Sequence, residues 1–158
     1  MMKAASIHEI KQELGNLQKT QLEELCVRLS RYKKENKELL SYLLFESFDE
    51  TAYCANIKRE MEIQFALINN ANLYFVKKSL RKILRITSKY CRYTSNAETE
   101  IKLLIHFCKI LQASRIPFRE SPVLVNLYNA QLKKINKAIA TLHEDLQYDY
   151  LQELKKAE

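Results

Sequence analysis

Glycine and proline are nearly missing from this sequence, with one glycine and two prolines in 158 residues, where average usage would give about 11 and about 8. A chain with Gly15 as its single glycine cannot build a glycine-rich phosphate loop, a dinucleotide-binding turn or a G-x-S-x-G nucleophile turn. Few breakers also mean few tight turns, so most of the chain is free to be helix. Period-two alternation bounded by turn residues is lacking as well, which argues against strands. Apolar runs stop after a few residues, as at Leu43, Leu44 and Phe45, far short of the about 18 to 20 needed to span a membrane. The opening MMKAASIHEIK has no apolar core or small-residue cleavage pattern, so no secretory signal is expected and a cytoplasmic location is.

The residues of catalysis and metal binding are scattered. His8, His106 and His143 form no ligand motif, and His106 and Cys108 are two apart, which on a helix turns them to different faces. No glutamate is followed three residues later by histidine, the pattern of di-iron bundles. The reading is therefore of no catalytic residue, no metal site, no cofactor and no enzyme. Cys26, Cys54, Cys91 and Cys108 show no paired spacing; reduced thiols buried on apolar helix stripes are expected, without a disulfide. Nine tyrosines accompany no tryptophan, and Tyr148 and Tyr150 flank Asp149. Such rings suit an interface, but closure of the bundle by their edges is the preferred expectation.

What the chain does contain is helix signal. The composition, 47% apolar and 28% charged, is that of a folded domain. Ser6 with Glu9 forms a capping box, and Gly15 is placed to end that helix in the left-handed conformation. Thr20 with Glu23 repeats the box and opens a helix to about Arg31, with Leu22, Leu25, Cys26 and Leu29 inward. A third helix runs from about Lys34 to Glu46 and buries Leu39, Leu40, Tyr42, Leu43 and Leu44. Asp49 caps a fourth, whose stripe is Tyr53, Cys54, Ile57, Met61, Phe65 and Ile68. Asn69, Asn70 and Asn72 mark a break before the next helix, since asparagine caps helices better than it continues them. Ser95 with Glu98 predicts a third box, opening a helix over 96–113. Ser121 before Pro122 starts the last helix. Its apolar residues from Tyr128 through Leu132, Ile135, Ile139, Leu142 to Leu146 extend it to about Leu154 in coiled-coil-like spacing. The expected fold is all-α, an irregular bundle of about seven helices: three short ones in a small subdomain over 1–48, then four longer antiparallel ones over 49–158, as one continuous fold.

Charge is concentrated in one place. Between Ala71 and Thr94 lie Lys77, Lys78, Arg81, Lys82, Arg85, Lys89 and Arg92 with no acid, and the rest of the chain balances at 19 basic against 19 acidic residues. The segment thus accounts for the whole formal charge of +7. At about 100° per residue the seven fall within an arc of roughly 140°. Leu73, Phe75, Val76, Leu80, Ile83, Leu84, Ile86, Tyr90 and Cys91 occupy the other side. Such a face fits an acidic protein partner, or nucleic acid with Tyr74 stacking on a base. A membrane surface fits less well, because the apolar side is needed for the core. Self-pairing is the competing expectation. Residues 46–62 hold Glu46, Asp49, Glu50, Glu60 and Glu62, and residues 143–158 hold Glu144, Asp145, Asp149, Glu153 and Glu158; either segment beside the basic helix would cancel much of its field. The function expected is that of a non-catalytic interaction or scaffold module, with nucleic-acid binding through the same helix as the alternative.

Overall fold

The computed structural model describes residues 1–157. Among them the chain is all-α, with eight α-helices and one short 3-10 turn. No helix is long and apolar enough to cross a membrane. The chain divides into two compact units, Met1–Phe45 and Glu46–Glu158.

The first unit holds α1 (Ile7–Gly15), α2 (Lys19–Tyr32) and α3 (Lys34–Phe45). The Ser6–Glu9 box forms as expected: the Glu9 amide donates to Ser6 Oγ, and Glu9 accepts from Ser6 N–H at 2.7 Å. Gly15 does not adopt the left-handed conformation; it is the last helical residue, and Asn16 ends the helix in the right-handed region. The second helix starts at Lys19 rather than after Thr20, with the Gln18 N–H donating to Gln21 Oε1 at 2.9 Å at its start. The larger departure is in burial. Of the residues expected inward on α2 and α3, only Tyr42 is buried. Cys26 is exposed, unlike the other three cysteines. Three helices of 9 to 14 residues are too short to wrap one another, and only α2 and α3 pair closely.

The second unit holds α4 (Glu50–Ala66), α5 (Leu73–Thr94), α6 (Ala97–Ala113), the 3-10 turn Phe118–Glu120, α7 (Pro122–Ile139) and α8 (Glu144–Lys155). Asp49 caps α4 by accepting from Ala52 N–H at 2.9 Å, and Asn72 caps α5 by accepting from Tyr74 N–H at 2.8 Å. The asparagine break is thus real, and α4 and α5 are separate. Their ends fix their directions: Tyr53 O–H, early in α4, donates to the Tyr90 carbonyl, late in α5, at 3.1 Å, so the two are antiparallel. The box expected at Ser95 is replaced. Ser95 takes φ 53°, the left-handed turn that closes α5, and Asn96 caps α6 by accepting from Glu98 and Thr99. One residue cannot both end α5 in that geometry and cap α6, and asparagine next to it serves as the better cap.

α6 is the centre. Ile101, Leu103, Phe107, Cys108 and Leu111 are all fully buried, and with Thr99, Leu104 and Ile105 the buried residues cover about two thirds of its circumference, leaving Lys102, His106 and Lys109 along the remaining side. A helix with so wide an apolar face must be covered on several sides, and α6 packs on α4, α5, α7 and α8. The long last helix does not form. α7 ends at Ile139; Thr141 Oγ1 donates to the Ala138 carbonyl at 2.6 Å, and His143 begins α8. A straight rod from Pro122 to Leu154 would be about 50 Å long, and its last third would find nothing to pack on. Turning back buries Tyr150 and Leu154, with Lys109 of α6 pairing Glu153 at 2.8 Å. Glu144 and Asp145 in the new first turn are favoured by the helix dipole.

Candidate functional site

The basic segment is carried by α5. Val76, Leu80, Ile83, Thr87 and Cys91 are buried, spaced four, three, four, four, so one ridge faces α4 and α6. The cations follow from that ridge by rotation. Lys78, Arg81, Lys82, Arg85 and Arg92 are exposed, while Lys77 and Lys89 are half-buried. Lys77 Nζ lies 5.9 Å from the ring centre of Tyr74 and Lys89 Nζ 5.6 Å from that of Tyr90, within range of cation–π attraction. Tyr74 is 61% exposed and stands in the cationic arc. Leu73 and Phe75 are exposed too, contrary to the expectation that they face the core. Both precede the first buried residue of the ridge, and the helical rotation places Phe75 at the rim of the cationic arc. The Tyr74 and Phe75 rings meet edge to face, 5.5 Å apart.

Several of the acidic residues are engaged by other groups. Glu50 accepts from the hydroxyls of Thr94 and Thr99, tying α4 to the end of α5 and the start of α6. Glu60 accepts from Tyr90 O–H at 3.3 Å. Glu62 lies beside His106, and Glu153 takes Lys109. Asp145 lies 3.5 Å from His143. Glu158 lies outside the described residues. Among the described residues no carboxylate comes within 4 Å of the ammonium or guanidinium groups of Lys78, Arg81, Lys82, Arg85 or Arg92. Among the described residues, neither acidic segment forms contact ion pairs with these five.

A cleft of about 560 Å³ adjoins the C-terminal end of this face, lined by Arg92, Ser95, Asn96, Glu100, Lys134 and Lys137 among others. Lys134 and Lys137 come from α7 and are exposed; they carry the positive surface from one helix to the next. Nothing in their own sequence neighbourhood marks them, because only the α5–α6–α7 packing brings them to Arg92. Cys91, also lining the cleft, is no nucleophile. Burial first and Glu100 second push its thiol up to about 12, so it stays protonated at neutral pH.

The other titratable groups behave as parts of the scaffold. Tyr150 is buried and donates to Glu98 at 2.6 Å, while Tyr148 is exposed. Among the described residues no three His, Cys, Asp or Glu side chains gather as metal ligands. His106 Nε2 stands 2.9 Å from Glu62 Oε1 without the alignment of a hydrogen bond. Burial chiefly, then Lys58, hold its imidazole below the usual range, with Glu62 opposing. The unfolded chain therefore binds a proton first as pH falls below about 6.5, and stability present above that pH is lost on acidification. Urea midpoints should fall between pH 7.5 and 5.5, and less steeply in His106→Gln. Equal slopes would remove His106 as the source.

Comparison with protein-family models, with curated proteins and with solved structures finds no match to this chain.

Proposed function

We propose that this chain is a non-catalytic helical interaction module whose α5 face receives an acidic protein surface. The observation that supports the reading is five exposed cations on one helix face that, among the described residues, have no carboxylate in contact, while Glu50, Glu62 and Glu153 are engaged by other groups. Like-charged side chains at a rim act mainly on encounter. They steer an oppositely charged partner and select against others, and they add less to the lifetime of the complex. Lys78, Arg81, Lys82 and Arg85 form the centre of the face, flanked by Lys77, Lys89 and Arg92.

Nucleic acid is the second reading, favoured by Tyr74. An exposed ring among cations is the arrangement on which a base stacks while phosphates are neutralised. From Tyr74 to Arg92 the face spans roughly 27 Å, long enough for several nucleotides.

Both are tested with the charge-reversed pair Arg81→Glu and Arg85→Glu, used beside wild type as bait in a lysate of the source cell, with and without nuclease. The protein reading expects a stoichiometric partner that survives nuclease and is captured about 10- to 100-fold less by the reversed pair, chiefly through slower association. Loss of the captured material on nuclease treatment, with a steep salt dependence, would transfer the function to nucleic acid. Equal capture by wild type and the reversed pair would overturn both.

A further inference from the structure

The cleft between α5, α6 and α7 is open because small residues line it. Ser88 and Ala138 stand on its two walls and Ala97 on its floor, and they leave about 560 Å³ unfilled, within the about 300 to 1,000 Å³ of small-ligand sites. Arg92 rises from the α5 wall. Lys134 and Lys137, three residues apart and so on one side of α7, rise from the other. Among the described residues no carboxylate lies within 4 Å of any of these three cations. The floor holds a second anomaly. Glu100, Leu104, Phe107 and Leu111 are spaced four, three, four and form one ridge of α6, and the last three are buried. A half-buried carboxylate therefore begins a ridge that is otherwise apolar. The helix dipole favours an acid in this first turn, but the neighbouring Glu98 is engaged by Lys102 and by Tyr150 O–H. Glu100 has neither a cation within 4 Å nor a hydrogen-bond donor in the described chain.

We propose that this cleft binds a small phosphomonoester that carries hydroxyl groups, of the chemical class of a sugar phosphate. Its three cations and one carboxylate leave a charge of +2, matched to the about −1.5 to −2 of a phosphomonoester at neutral pH. The Arg92 fork suits two phosphate oxygens side by side, and Lys134 and Lys137 act as point charges on the same group. Ala97 opens the first turn of α6 into the cleft, so the positive end of that helix adds to the attraction. Glu100 sets the rest of the ligand. A bare anion satisfies the cations and is repelled by the carboxylate, whereas hydroxyls on an organic body donate to it. The same acid that weakens inorganic phosphate thus selects the hydroxylated ester. The site stands apart from the α5 face, since Arg92 alone of its cations belongs to both.

Amide NMR titrations of the full chain at low salt test the proposal, with glucose 6-phosphate, inorganic phosphate and glucose as probes. Glucose 6-phosphate should give saturable shifts confined to the ends of α5 and α7 and the start of α6, with an affinity about 10-fold above that of inorganic phosphate. Glucose alone should give none. Lys134→Gln with Lys137→Gln should weaken the sugar phosphate about 10-fold or more. Arg81→Gln with Arg85→Gln removes the same charge from the α5 face and should change it by less than about 2-fold, because a distant pair contributes only a screened field. Glu100→Leu completes the apolar ridge of α6, so the variant should fold. It should bind inorganic phosphate at least as tightly as wild type and lose the preference for the sugar phosphate. No saturable binding of either phosphate up to about 10 mM, far above the range of a specific site, would overturn the site. Equal weakening by the two charge pairs would reduce it to the general field of the protein and overturn it too. A preference that persists in Glu100→Leu would overturn the hydroxylated ligand.

Discussion

Phe107→Ala should lower the stability of the second unit by about 3 to 5 kcal/mol, the range for removing a buried aromatic ring. Phe107 is fully buried on α6 and its ring centre lies 5.3 Å from that of Phe65 on α4. Its removal deletes apolar contact and opens a void between helices already held in place by their other neighbours, so collapse cannot fill it. A body of ordinary stability, about 5 to 15 kcal/mol, would lose a large share of it. Urea unfolding at unchanged slope measures the loss. Phe107→Leu, which keeps most of the volume, should cost clearly less. If both variants cost under about 1 kcal/mol, α6 is not the closed centre described here.

The second large effect is expected at Glu50. Its carboxylate accepts from Thr94 and Thr99, and Thr99 is only 2% exposed. Glu50→Ala strips the acceptor from both hydroxyls and leaves one of them buried, at a cost of about 1 to 3 kcal/mol. Glu50→Gln keeps an oxygen in place but loses the charge, and charge-assisted bonds are roughly twice as strong as neutral ones; its cost should be intermediate. Thr99→Val removes donor and need together, and should be milder than Glu50→Ala. Thermal unfolding of the three variants gives the order. A Thr99→Val cost equal to that of Glu50→Ala would move the weight from the carboxylate to packing around Thr99.

Local signals in the chain were legible wherever one residue decides a boundary. Ser6, Asp49, Asn72 and Pro122 each set a helix start that the fold adopts. Boundaries failed where two residues compete for one role. Ser95 and Asn96 both favour capping, and the tie is resolved by the left-handed turn that α5 needs at its end. Periodicity identified the inward side of α4, whose five residues from Tyr53 to Phe65 are buried. The same periodicity misled on α2, because a stripe says which side is apolar and not whether anything lies against it. It misled again at Ile139, where seam spacing continues through a turn that it cannot register. The basic face was readable as an arc of one helix. Its extension by Lys134 and Lys137 was not, since it exists only through the packing of α7 beside α5 and α6.

The absence of acids from α5 also bears on how the protein holds together. Lys77 with Arg81, Lys78 with Lys82, Arg81 with Arg85 and Arg85 with Lys89 stand one helical turn apart, and each like-charged pair weakens a helix by about 0.2 to 0.5 kcal/mol. The helix therefore works against roughly 1 to 2 kcal/mol of its own repulsion, and its apolar ridge supplies the opposing attraction. Added salt, which weakens most surface electrostatics, should firm this fold by screening that repulsion. Any polyanion that settles on the face stabilises the native state through mass action as well. Occupancy of the surface and rigidity of the body are two readings of one equilibrium.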